Sequence, residues 1–262
     1  MALQVTVRDG VAVFTLDNPP QNRLTVDVLL AFVAGLEQAK ADESVRVVVV
    51  QARGENFSYG GDITPWPQLA PEDMGQLVAQ GLAICSTLET LPVPVIAAVQ
   101  GDCFGGGFEI ALRADVIIAT ESARFRHPEA TLGVITLLGG VQRVAERAGR
   151  ARAARWALTA EPVSAAEALA AGVIAEVVPD DELQSATARW AQLLARGATR
   201  AHAAHKQLLQ AWSDGGVEAA DALIPELTTQ LMRTEDAQRG VASAVDALNK
   251  GIARPDVAFS GR

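Results

Sequence analysis

The sequence predicts an α/β protein in which helices cover a largely parallel sheet and a helical C-terminal module follows. Two observations carry this: β-branched runs alternate with helical patterns from residue 3 to about 120, and alanine-rich helical patterns take over beyond about 140. "VAVFTL" (11–16) and "RVVVVQA" (46–52) have the composition of buried strands. "TVDVLLAFVAGLEQAKAD" (25–42) and "PEDMGQLVAQGLAICSTLETL" (71–91) repeat apolar residues at helical spacing. "PVPVIAAVQG" (92–101) is a strand that runs straight into a glycine cluster, and "ADVIIATESARF" (114–125) is the next strand. Strand, helix and strand in one sheet normally connect by a right-handed crossover, so parallel pairing follows. In the C-terminal half only "GVIAEVVP" (172–179) suggests a strand. The chain divides into an α/β core over 1–195 and a helical module over 196–262.

Composition excludes several functions. The 262 residues are 49% hydrophobic, ample for a core, and the net charge of −9 disfavours non-specific binding to nucleic acid or an anionic membrane, which needs Lys and Arg to neutralise phosphate. No window approaches the ~18 uninterrupted apolar residues of a membrane span. "MALQVTVRDG" lacks the layout of a signal peptide, so the expected location is the cytoplasm. Cys85 and Cys103 have no Cys or His at metal-ligand spacing, so both read as buried small hydrophobes and no metal site is expected.

"GDCFGGGFEIAL" (101–112) sets three glycines before an apolar run that carries Glu109. Glycine inside an element costs roughly 0.5–1 kcal/mol relative to alanine, so the run marks a loop or a close approach to backbone. It falls where a strand ends and a helix begins, where N–H groups are unpaired. The dinucleotide G-x-G-x-x-G register is missing, and so is the Gly-Lys-Ser/Thr of a phosphate loop. "FSYGGDI" (57–63) follows another strand and presents amides in the same way. Two such loops suggest two donors on one oxygen, an oxyanion hole, worth ~2.7–4 kcal/mol per donor. Taken alone, Glu109 reads as a first-turn acid that complements the helix dipole, Glu129 as a loop acid and Asp62 as a helix N-cap. His127, His202 and His205 read as surface or supporting residues, and Phe108 as core.

With these motifs the chain resembles the enoyl-CoA hydratase/isomerase family and its crotonase fold of repeated ββα units. The likeness runs from "FTLDNPPQNRL" (14–24) through "FSYGGDI", "PVPVIAAVQGDCFGGGFEIALRADVIIAT" and "ARFRHPEATLGVI" to "TEDAQRGVASAVDAL" (234–248). The resemblance implies an acyl-CoA thioester substrate, coenzyme A being part of that substrate and no further cofactor being needed. Its thioester oxygen would be held by the N–H groups of Tyr59 and Gly106, with Glu109 activating water and Glu129 protonating Cα. It further implies substrate contacts from Gly60, Gly61, Asp62 and Gly105, an acyl pocket near Trp66, Phe104 and Leu137, coenzyme A phosphate contacts from Arg23 and Lys206, and assembly into homotrimers paired as homohexamers. The expected activity is hydration of a 2-enoyl-CoA. Isomerisation, decarboxylation, thioester hydrolysis and a non-catalytic scaffold remain as alternatives.

Three departures from the family pattern stand out. Thr136-Leu137-Leu138-Gly139-Gly140 replaces the common "PGAGG", and the segment before Asn22 lacks the usual basic residue. Arg126 and His127 bring positive charge before Pro128-Glu129, which lowers the Glu129 pKa if their side chains face it. The single tyrosine, Tyr59, is expected to shape the acyl or thioester pocket with its ring.

Overall fold

Asp9-Gly10, both at positive φ, turns β1 (Leu3–Arg8) back onto β2 (Val11–Leu16) as an antiparallel hairpin, the geometry an Asp-Gly pair favours. From β2 onward every neighbour in the main sheet is parallel: β3 (Val47–Ala52), β4 (Val95–Val99), β6 (Val116–Thr120) and β9 (Glu176–Val178). The order is β1-β2-β3-β4-β6-β9. A second sheet of three short strands, β5 (Asp102–Phe104), β7 (Arg124–Arg126) and β8 (Val163–Ser164), stands beside it in the order β5-β7-β8. The computed structural model describes residues 2–261.

The central strands are apolar on both faces because helices cover both faces. On β3, Val48 and Val50 join Phe14, Phe32 and Phe108 in one core, while Val47 and Val49 join Ile96, Ile118 and Ala186 in the other. Helix α1 (Val26–Ala41) is capped by Thr25, whose hydroxyl accepts from the Val28 N–H. It lies so close to β2 that a β-carbon on Gly35 would stand 2.7 Å from the Phe14 ring. Helix α2 (Pro71–Glu89) begins on a proline, which suits the first helical position. Then come α3 (Gly106–Ala111), α4 (Gly140–Ala148), α5 (Arg150–Thr159), α6 (Ala165–Ala170) and α7 (Leu183–Arg196), the last supplying Ala186 and Ala191 to the second core. The element order ββα recurs in β1-β2-α1, β4-β5-α3 and β6-β7-α4, although β1 and β2 pair with each other while β5 and β7 leave for the second sheet. The C-terminal part is α8 (Thr199–Met232), broken at Gly216, and α9 (Glu235–Lys250).

Three expectations need correction. The stretch 114–125 is not one strand: the chain turns after Thr120, the Ala123 N–H bonding the Thr120 carbonyl, and resumes as β7 in the second sheet. For the same reason the glycines do not follow β4 directly, because β5 intervenes after Gly101. The C-terminal half also holds β8, whose two residues are too few to show a period.

Candidate active site

The carboxyl ends of β3, β4 and β6 lead into three loops that meet at one place. After β3, Gly60 takes φ +84, and after β5, Gly105 takes φ +52; side chains rarely tolerate either conformation. A β-carbon on Gly60 would stand 2.8 Å from the Gly106 nitrogen and 2.9 Å from the Phe104 oxygen, so only glycine lets the loops touch. Gly107 packs its bare Cα against Ser58, where a β-carbon would come within 2.6 Å. The three glycines therefore do three jobs: Gly105 makes the turn, Gly106 stands beside Gly61 at the gap between the two loops, and Gly107 allows close packing. Asn22 braces the first loop, donating to the carbonyls of Arg53 (2.9 Å) and Asn56 (2.8 Å), while Ser58 Oγ donates to the Asn22 carbonyl (2.7 Å).

The amide at Tyr59 is not free. Its N–H donates to the Gln21 carbonyl at 3.0 Å, which corrects its expected part in an oxyanion hole. Among the described residues, the N–H groups of Gly61 and Gly106 have no hydrogen-bond partner, and a β-carbon on Gly106 would stand 3.5 Å from the Gly61 nitrogen. The two free amides border the same gap. Each belongs to the glycine after one at positive φ, and Gly139 (φ +88) and Gly140 repeat the device. That recurrence of Gly-Gly pairs is the sequence signal that distinguishes Gly61 from Tyr59.

Glu109 lies on α3 at 1% exposure. Its Oε1 accepts from Leu138 N–H and Gly140 N–H, both at 2.8 Å. Burial raises its pKa, opposed by the amides of Gly140, Leu138 and Leu137 and by the Arg113 charge. Glu129 opens a 3₁₀ turn, Glu129–Leu132, after β7 and is 7% exposed. A β-carbon on Gly105 would meet its Oε1 at 3.3 Å. Burial pushes it up to about 7, with the Glu109 charge adding to the rise. The expected lowering by Arg126 is present but outweighed by burial, and that by His127 does not hold. Arg126 turns away to the Ala160 carbonyl and opposes the rise only weakly, while burial drives His127 down to about 4 and leaves it uncharged at neutral pH.

His127 is the residue whose place the sequence left open. It is 1% exposed, stacks on Phe108 with ring centroids 4.8 Å apart, and places Nδ1 3.9 Å from Glu129 Oε2. Neither ring nitrogen nor Glu129 Oε2 has a partner among the described residues. A β-carbon on Gly140 would clash with the His127 ring and stand 2.9 Å from Glu109 Cγ, so Gly140 lies between the imidazole and the first glutamate.

The remaining predicted residues divide. Trp66 is half-buried, and its ring lies 3.7 Å from where a Gly61 β-carbon would be. Arg23 donates to the Gly61 carbonyl at 3.2 Å and lies over the Tyr59 ring. Leu137 is half-buried in the loop that meets Glu109. Phe104 packs edge-on against Tyr59 at 5.3 Å. Asp62 caps no helix: its Oδ1 accepts from the Thr64 N–H and hydroxyl, closing a local turn. The Tyr59 hydroxyl donates to Asp102 Oδ2 at 2.6 Å, and Asp102 is clasped by Arg124, so this end of the ring is tied down beside β5. Lys206 is not at the site. It donates to Asp115 (2.7 Å) and to the Val93 carbonyl (3.0 Å) at the opposite end of the sheet, where β4 and β6 begin.

A largely parallel sheet wound in one direction, with a small second sheet beside it and two buried acids and two free amides at the carboxyl ends of its strands, is that of a crotonase-type protein. The chain belongs to the enoyl-CoA hydratase/isomerase family, whose profile matches residues 6–249. It is 32% identical over 243 residues to the 2,3-dehydroadipyl-CoA hydratase of Escherichia coli K12, covering 92% of this chain and 94% of that one. It is 36% identical over 220 residues to the carnitinyl-CoA dehydratase of Salmonella enteritidis PT4, covering 83% of each. The crystal structure of an enoyl-CoA hydratase from Bacillus anthracis superposes with a TM-score of 0.90 at 26% identity, over 100% of both chains.

Proposed function

We propose that this protein hydrates the 2,3 double bond of an enoyl-CoA thioester. The observation that carries the reading is the meeting of two buried glutamates with two unpartnered amides. The thioester oxygen would accept from Gly61 and Gly106 N–H, which take up the charge that develops there as water adds. Glu109 keeps one oxygen on the Leu138 and Gly140 amides, and its Oε2 has no hydrogen-bond partner among the described residues, free to take a proton from water attacking at Cβ. Glu129, with a carboxyl that holds its proton up to about pH 7, would deliver a proton to Cα. Water ends as hydroxyl on Cβ and hydrogen on Cα, and the reaction needs only these groups and the thioester. Arg23 and Trp66, flanking Gly61, would contact the substrate, and Leu24 and Leu138, beside Gly106, would border the acyl group.

Two relatives support this reading by their names, since a hydratase and a dehydratase traverse one double bond in opposite directions. The test is turnover of a panel of 2-enoyl-CoA thioesters, followed by loss of conjugated absorbance and by product mass. Gain of one water is expected. A double-bond shift at constant mass, release of free coenzyme A, loss of carbon dioxide or no turnover would each replace hydration by one of the other readings. The same proposal includes assembly. Val241, Val245 and Leu248 form an exposed apolar stripe at helical spacing on α9, which a homotrimer or homohexamer would cover.

A further inference from the structure

Near Glu109 lie three charged residues that none of the chemistry above uses. Arg113, in the turn that follows α3, is 4% exposed. Its Nη1 donates to Glu89 Oε2 at 2.7 Å, and its Nη2 donates to the Leu138 carbonyl. Glu89, the last residue of α2, is gripped by Arg143 of α4 through Nε (2.7 Å) and Nη2 (2.6 Å), and Arg143 Nη1 reaches the Gly139 carbonyl at 3.2 Å. The two arginines therefore hold the carbonyl side of a loop whose amide side, at Leu138 and Gly140, holds Glu109. This is the segment where Leu137-Leu138 stands in place of the small residues common in the family.

We propose that Arg113, anchored by Glu89 and Arg143, is a positioning residue that presses the 138–140 backbone against Glu109 and so aims its free oxygen at the substrate. A buried cation paired on one side has a second hydrogen-bonding direction to spend, and here it goes to the Leu138 peptide. The proposal deepens the hydration reading, and its kinetic arm rests on that reading. The charged or titratable groups around Glu109 are Arg113 from the turn that follows its helix, Glu129 and His127 from the loop after β7, Glu89 and Cys85 from α2, and Arg143 from α4. Of these, Arg113 is the cation that favours ionised Glu109.

Arg113→Met and Arg113→Lys in the full chain test this. Arg113→Met removes the grip and the charge while Arg143 still pairs Glu89. It should lower kcat on the order of 10²-fold, as misplacing a reacting group does, with KM changed less than about threefold. The Glu109 carboxyl titration, read by infrared difference against Glu109→Gln, should move upward. Arg113→Lys keeps the charge without the fork, so it should restore the titration and recover only part of kcat. In both variants the 138–140 amides should exchange hydrogen faster while those of α1 and β2 stay protected. Wild-type exchange of the 138–140 amides in whichever variant folds would overturn the proposal. So would a folded Arg113→Met with wild-type kcat and titration. If the wild-type chain hydrates no enoyl-CoA yet these exchange rates respond, hydration has failed and the positioning role stands.

Discussion

Glu109 and Glu129 occupy pockets of similar burial that differ in hydrogen bonding. Glu109 gives one oxygen to two backbone amides, whereas Glu129 Oε2 faces an uncharged imidazole at 3.9 Å and bonds to nothing among the described residues. Burial raises both pKa values, but only at Glu109 do amides from a neighbouring loop oppose it. The difference shows how one fold readies two carboxylates for opposite proton transfers: three loop amides and Arg113 oppose the rise at Glu109, whereas only its own amide and Arg126 oppose it at Glu129, where the Glu109 charge adds to the rise.

The strongest way to break the comparison is to neutralise each acid. Glu109→Gln and Glu129→Gln should each lower kcat on 2-enoyl-CoA by on the order of 10²–10⁴-fold in a folded protein, and a variant that turns over as wild type removes that residue from the chemistry. A difference in pH profile sharpens it. Proton delivery by Glu129 fails as pH rises through about 7 in the free protein, so kcat/KM should fall there in the wild type, and an alkaline limb unchanged in Glu129→Gln would assign it to another group.

Next comes the gap. Gly60→Ala should cost about 1–3 kcal/mol in chemical denaturation and most of the activity, because its φ of +84 is retained only with strain and its methyl would meet the Gly106 nitrogen. Gly61→Ala has 3.7 Å to its nearest neighbour, the Trp66 ring, and should unfold with wild-type stability. Equal losses in the two would refute the distinction.

Stability against pH separates Glu129 from His127. Glu129 has a folded pKa raised to about 7, so the folded state binds more protons than the unfolded one from about pH 4.5 to 7, and stability falls as pH rises through that window. His127 has a folded pKa lowered to about 4, so stability is lost as pH falls from about 6.5 toward 4. The two slopes oppose each other where they overlap. Glu129→Gln should leave stability rising with pH between about 4 and 6.5, and His127→Phe should leave it falling between about 4.5 and 7, each by up to on the order of 3 kcal/mol. Parallel curves for wild type and both variants would show that neither group titrates as described.

The smallest effect is expected at Tyr59, whose hydroxyl bonds Asp102 and whose amide is engaged by Gln21. Tyr59→Phe should cost about 1 kcal/mol and leave kcat within a few-fold of wild type. A large loss of kcat in a folded Tyr59→Phe would bring the phenol into the chemistry.

Much of this was legible in the chain. The runs "VAVFTL", "RVVVVQA" and "PVPVIAAVQG" contain β2, β3 and β4, and the helical spacing in 25–42 and 71–91 became α1 and α2, because period and composition are local properties. The grouping of Glu109, Gly106 and Glu129 was what the resemblance to the family implied, since taken alone each acid reads as an ordinary helix or loop carboxylate. What the sequence could not decide is where each polar group points. Tyr59 and Gly61 are two residues apart, yet one amide meets the Gln21 carbonyl and the other borders the gap, an outcome set by the positive φ of Gly60 and by the approach of the Asn22 loop. Lys206 and Arg23 are both basic residues, but the long helix α8 carries Lys206 to the start of β4 and β6, whereas Arg23 stays beside Gly61. His127, ordinary in the sequence, becomes an uncharged group beside Glu129 only because the second sheet and Phe108 enclose it. Composition and spacing determined the elements and the types of residue that meet; burial and hydrogen-bond partners, which arise from contacts between distant segments, decided the protonation of each and which amides stay free.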